Sequence, residues 1–155
     1  MTILNRLPTK DILMSRGMVM DGLCCFCKHE QETKDHLFFS CPYSKAIWKL
    51  VLSLCGLDRE VLDWEGEMKW AVLQLKGKAL LSKVLRIAWS SFIYHIWKKR
   101  NGRIFGKMEQ TAEQIIDHIK MAVRHRLASL KNVATDTVNI SLYSSWGLFD
   151  SIFGL

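Results

Sequence analysis

The sequence predicts a mostly α-helical chain: a small module rich in cysteine and histidine comes first, and a helical, bundle-like extension follows. Three observations predict it. Four of the five cysteines and two of the five histidines fall within residues 24–41, CCFCKHEQETKDHLFFSC. Past that cluster, apolar residues recur at helical spacing in long runs. Helix boundaries are marked by Pro42, by Gly56 and by a capping box from Thr111 to Gln114.

The elements follow in order. RLPTKDILMSRG reads as a turn into a short helix, with Thr9 as its cap, Ile12, Leu13 and Met14 on its apolar side and Gly17 at its end. Asp21 and Gly22 make a tight bend before the cysteines. Thr33 caps a short helix that seats His36 at its third position, with Leu37, Phe38 and Phe39 packed behind it. Pro42 suits the first position of a helix from Tyr43 to about Cys55, whose Ile47, Trp48, Val51, Leu52 and Cys55 face inward. Residues 57–77 carry mixed charge and two glycines, so they read as a connection with one helical segment around Glu67–Leu75.

The longest helix is expected from Lys78 to about Lys99. Leu81, Val84, Leu85, Ala88, Trp89, Phe92, Ile96 and Trp97 form its broad apolar face. The capping box opens a last helix, with Ile115, Ile119, Ala122, Val123 and Leu127 or Leu130 buried. Residues 132–155 end in SLYSSWGLFDSIFGL, which reads as a loose tail with aromatic anchors or as a patch for a protein partner. The expected division is 5–56 for the module, 57–131 for the helical extension packing on it, and 132–155 for the tail.

Composition limits the function. The 155 residues suit one domain of ordinary size, and 49% apolar content supplies a core. Net charge is +7, but residues 1–60 carry eight Lys/Arg against seven Asp/Glu, whereas 61–131 carry fourteen against six. That balance fits a polyanion such as RNA or DNA, or an ordinary solvated surface. Its densest part is KKRNGRIFGK, where Lys98, Lys99, Arg100, Arg103 and Lys107 stand beside Trp97 and Phe105 as a candidate nucleic-acid contact. The same cations also suit a helix C-terminus. Met1–Ile12 is no signal peptide, and the apolar run Ile87–Trp97 is too short and polar to span a membrane. A reducing compartment is therefore expected, where clustered cysteines point to metal or catalysis rather than disulfides.

The cluster spacing is C-x2-C-x8-H-x4-C, formed by Cys24, Cys27, His36 and Cys41. Three thiolates and one imidazole make a tetrahedral structural zinc set, and soft sulfur favours zinc over magnesium or calcium. Cys25 is left out, because one residue between it and Cys27 makes a poorer chelating turn. His29 lies in a polar loop, and Cys55 reads as core. A thioredoxin-like redox pair at Cys24 and Cys27 would need a preceding strand and a long following helix. A Cys–His nucleophile would need a third, orienting group.

RLPTKDILMSRG, CCFC and EQETKDHLFFSCPYSKAIW together resemble the plant reverse-transcriptase zinc-binding domain family, found near the C-terminus of non-LTR retrotransposon polyproteins. Leu7, Pro8, Thr9, Gly17, Cys24, Cys27, Glu32, His36, Leu37, Phe38, Phe39, Cys41 and Trp48 carry the resemblance in order, and IWKKRNGRIF extends it to about residue 105. The resemblance implies the same four zinc ligands, an ancestral role gripping RNA or DNA beside a polymerase, and the nucleus as compartment. The family's aromatic-rich segment before the Leu7–Thr9 stretch has no counterpart in MTILNR, so an N-terminally truncated copy is expected. A chain of 155 residues has no room for a polymerase palm, and Asp136 and Asp150 alone do not make an RNase H site. No enzyme activity is expected. The other reading is a zinc scaffold or retroelement remnant acting through protein contacts.

Overall fold

A computed structural model describes residues 7–18, 21–107, 110–131 and 133–148. Among them are six α-helices: α1 (Lys10–Ser15), α2 (Pro42–Leu54), α3 (Trp64–Gln74), α4 (Leu80–Ile104), α5 (Ala112–Leu127) and α6 (Thr137–Trp146). A π-helical turn, His36–Ser40, precedes α2. One isolated antiparallel bridge, Leu23 with Gln31, is the β-type pairing among the described residues. The fold is thus mostly helical, with a small Cys/His cluster followed by a helical bundle.

The boundaries follow from local chemistry. Pro42 starts α2, where its missing amide proton costs nothing. The Asp63 carboxylate accepts from the Gly66 amide to cap α3. The capping box of α5 closes in both directions between Thr111 and Gln114. At the start of α1 the Thr9 hydroxyl bonds the Asp11 carboxylate rather than capping the helix. The expected apolar side of α1 is also displaced: Thr9 and Lys10 are buried, while Met14 is exposed.

The core is continuous through the helices. Phe39 from the π-turn, Trp48 of α2, and Trp89 and Phe92 of α4 meet with ring centroids 5.0–6.4 Å apart. Edge and tilted contacts of this kind add to area burial. Ile115, Ile119 and Val123 place α5 against α4.

Two corrections concern the second half. α4 runs on past Lys99 to Ile104, because the lysines and arginines of KKRNGRI are good helix formers that outweigh Asn101 and Gly102. The expected tail is a helix over 137–146. The Asp136 carboxylate caps it by accepting from the Asn139 amide, and Gly147 ends it in the left-handed region at φ 66. Leu142, Tyr143, Trp146 and Leu148 are buried within this chain, so Trp146 and Leu148 are not a free patch for a partner. The rest of that expected patch, 149–155, lies outside the described residues.

Among the described residues two carboxylates lie fully inside, and both are paired. Glu67 accepts from Arg59 at 2.7 and 2.8 Å, from Trp48 Nε1 at 3.1 Å and from the Leu62 amide. Glu32 accepts from Arg100 Nη2 at 2.7 Å, from Arg100 Nε, and from the Lys10 amide at 2.8 Å. Removing one partner of a buried pair strands the other charge and costs about 3–5 kcal/mol. Glu32→Ala is therefore expected to lower the unfolding free energy by about that much in denaturant titration, whereas Glu32→Leu with Arg100→Leu recovers a large part of it. A Glu32→Ala loss below about 1 kcal/mol would contradict this assignment.

Candidate metal centre

Residues 21–32 fold back on themselves. The Cys24 amide donates to the Glu30 carbonyl and the Glu32 amide to the Gly22 carbonyl, both at 2.8 Å. At the tip the Lys28 amide donates to the Cys24 carbonyl at 2.8 Å, closing a turn that carries both Cys24 and Cys27. Lys28 sits there at φ 58, a conformation that costs a non-glycine residue roughly 1–2 kcal/mol. Gly22 permits the loop to close on α1, since a Cβ there would lie 2.4 Å from Met14 Sδ and from Gln31 Oε1.

The other half of the cluster comes from the π-turn. The Thr33 hydroxyl accepts from the His36 amide at 3.0 Å, as expected of a cap. The turn then widens, and the Cys41 amide donates to the His36 carbonyl five residues back, at 2.6 Å. In an α-helix, positions five apart point roughly 140° away from one another at about 100° per residue. The i→i+5 bond brings them round to the same side. His36 and Cys41 can therefore face the same point.

The result is a compact donor set. One donor atom from each of Cys24, Cys27, His36 and Cys41 lies within 4.8 Å of the others. Cys24 Sγ is 3.9 Å from Cys41 Sγ, and Cys27 Sγ is 3.2 Å from His36 Nε2. Tetrahedral zinc with such donors separates them by roughly 3.5–3.8 Å. The cluster is thus positioned to coordinate a metal ion. Cys24 and Cys41 are fully buried, with Leu37 and Phe38 adjoining them in the core.

Electrostatics agree with the geometry. The Cys24 thiol is pushed far up, first by its hydrogen bond to Cys41 and then by burial. Cys41 is pushed down, first by the same bond and also by the Tyr43 and Ser44 amides, against a burial effect that opposes them. The two shifts share one leading cause, the Cys24–Cys41 contact, and metal binding to such thiols releases protons. Cys25 stands apart from the set, and burial, followed by the nearby Glu32 charge, pushes its thiol up to about 12. Cys55 is likewise pushed up to about 12 by burial on the core side of α2. His29 is exposed in its loop.

The candidate nucleic-acid residues fare differently. Lys98 and Lys107 are exposed, but Lys99 and Arg100 are only 6% and 3% exposed. Because α4 continues through this run, one side of it must face inward. Lys99 Nζ bonds the Gln110 carbonyl and lies over the Tyr43 ring, while Arg100 is held by Glu32 and lies over Trp97. The Arg103 guanidinium donates to the Cys25 carbonyl and covers Phe26. The five cations therefore form no common outer surface, and Arg100 braces the metal loop. Sequence reasoning marked Glu32 through the resemblance alone; a lone acid between the cysteine turn and the histidine, with an arginine well downstream, carries no local signal of pairing.

Residues 1–48 match a family model described as zinc-binding in reverse transcriptase, and all four clustered residues fall inside that match. The match describes a zinc-binding module rather than a catalytic one, and it is shorter than the stretch to residue 105 traced in the sequence. No curated protein and no solved structure matches this chain. Among the described residues no helix is long and apolar enough to cross a membrane.

This geometry separates ligands from bystanders. Cys24→Ser or His36→Ala is expected to abolish bound metal, whereas Cys25→Ser and His29→Ala retain one equivalent by elemental analysis. Loss of metal in Cys25→Ser would contradict the assignment. Apparent metal affinity should also fall as pH drops from about 7.5 to 6.5, since binding must release protons. A flat profile in competition titrations would count against thiolate ligation.

Proposed function

We propose that this chain is a non-enzymatic zinc-binding domain of plant non-LTR retrotransposon reverse-transcriptase origin. One zinc ion held by Cys24, Cys27, His36 and Cys41 fixes the fold, and the basic second half binds RNA or DNA. The four donors within 4.8 Å of one another carry this reading. Three sulfurs and one imidazole favour zinc over hard cations, and four protein ligands leave no open position for substrate. The role assigned to the metal is thus structural: it supplies folding free energy that a small, loop-rich module otherwise lacks.

The nucleic-acid part rests on charge. Net charge is +7, and the excess lies in 61–131. Contacts of Lys and Arg with phosphates give affinity with little sequence reading, and they make binding salt-dependent. One observation favours the second reading, a zinc scaffold or remnant acting through protein contacts. Lys99 and Arg100, the centre of the basic run, are already used inside the fold.

Protein purified without added zinc is expected to carry about one equivalent per chain and to lose helicity on chelation. The zinc-loaded chain should bind oligonucleotides with a log–log salt slope of about −2 to −3, equivalent to three or four phosphate contacts on a single strand. Metal-loaded, folded protein with no affinity near 50 mM salt would leave the scaffold reading in place.

A further inference from the structure

Among the described residues three concave surfaces are lined by three Lys/Arg side chains each, and the one with Lys78, Lys83 and Lys131 also holds Asp136 in its wall. A second, of about 790 Å³, lies beside the metal loop and carries Lys10, Lys28 and Arg103. Lys10 Nζ donates to Asp21 and to the Leu23 carbonyl, so its charge is opposed there, and the Arg103 guanidinium covers the Phe26 ring and donates to the Cys25 carbonyl. Asp21 also stands in its wall, which weakens its hold on any anion.

The third is a groove of about 720 Å³ between α4 and α5. Lys83, Arg86 and Arg126 line it together with Ser90, Ser91 and Tyr94, and no carboxylate is among the described residues of its walls. Positions 83, 86, 90 and 94 recur at helical spacing and so form one stripe along α4. Lys98 is the next position on that stripe, with its Nζ 5.9 Å from the Tyr94 ring centre. From Lys83 to Lys98 the stripe is roughly 22 Å long at about 1.5 Å per residue. Among the described residues neither Lys83 nor Arg126 is in an ion pair. The Arg86 guanidinium is steadied by the Leu75 and Gly77 carbonyls, which leave its charge uncancelled. Tyr94 is 60% exposed, a large ring on a surface otherwise suited to anions.

We infer that this groove, rather than the basic run at the end of α4, is where single-stranded nucleic acid lies: its phosphates meet Lys83, Arg86, Arg126 and Lys98, and a base stacks on Tyr94. The inference deepens the proposed nucleic-acid function and rests on it. A line of cations beside an exposed aromatic is the combination by which single strands are held without sequence preference. An anionic membrane uses the cations but has no flat ring to lay on Tyr94, and an acidic peptide has one only where it carries an aromatic side chain. The Ser91 hydroxyl adds a donor to the groove, while that of Ser90 already donates to the Arg86 carbonyl.

The test is fluorescence anisotropy of a short labelled oligouridylate with the zinc-loaded full chain across about 50–200 mM salt. Lys83→Ala with Arg126→Ala should weaken binding at least about tenfold and make the salt slope shallower by roughly 1.4, two contacts' worth. Tyr94→Ala should weaken it about tenfold with the slope unchanged. Lys28→Ala with Lys107→Ala, away from the groove, should change it less than about threefold. All these positions are surface ones, and unaltered melting temperatures confirm that the variants are folded. If the wild type binds and the groove variants bind equally well, the groove is overturned while nucleic-acid binding stands. If the wild type shows no salt-dependent binding, the underlying function fails, and the groove with it. Should the double variant lose affinity for anionic vesicles and oligouridylate alike while Tyr94→Ala binds both normally, the groove serves polyanions in general and the assignment to nucleic acid is overturned.

Discussion

The Glu32 carboxylate is the point on which the rest of the molecule depends. It is fully buried, and Arg100 and the Lys10 amide pair it there. Arg100 in turn donates to the Pro8 carbonyl and lies over Trp97. One ionic node thus joins the start of α1, the end of the metal loop and the far end of α4, segments up to 92 positions apart in the chain. Such a pair adds little net stability over well-packed apolar side chains, but an incomplete one is costly, so all its partners must arrive together. Glu67 plays the same part for α2, α3 and the linker before it, holding Trp48 and Arg59.

Between these nodes the Cys/His cluster sets the local backbone. Its loop includes a left-handed lysine and a glycine whose replacement would displace the ends of the Met14 and Gln31 side chains, and its second half needs a π-turn. None of these is favourable in isolation, and a cation binding all four side chains would repay them together. The metal module is therefore read as a brace rather than a reactive centre. On α4 and α5, Lys98 and Arg126 are exposed and in no ion pair among the described residues.

Much of this was legible in the sequence. The four clustered residues follow from spacing, because two residues between thiols and four between histidine and cysteine suit short turns. The helices α2 and α5 follow from Pro42 and the capping box, and the inward faces of α2 and α4 from apolar periodicity. Other features were hidden, for physical reasons. The fate of Lys99 and Arg100 depends on where α4 ends, and helix ends are weakly encoded when the next residues also favour helix. α6 is short, and its polar first turn masked a buried side made of Leu142, Tyr143 and Trp146; Asp136 and Gly147 were the available cap signals. The π-turn and the Glu32–Arg100 pair arise from tertiary contacts and have no local pattern at all.

The central claim is that the metal cluster and the far end of α4 are one mechanical unit, joined through Glu32. Amide hydrogen exchange of the zinc-loaded chain, repeated after chelation, tests it most directly. The account predicts that chelation exposes amides in residues 22–41 and, at the same time, in the last turns of α4 from about Trp97 to Ile104, while α5 keeps more of its protection. Exposure confined to 22–41, with the end of α4 unchanged, would contradict it.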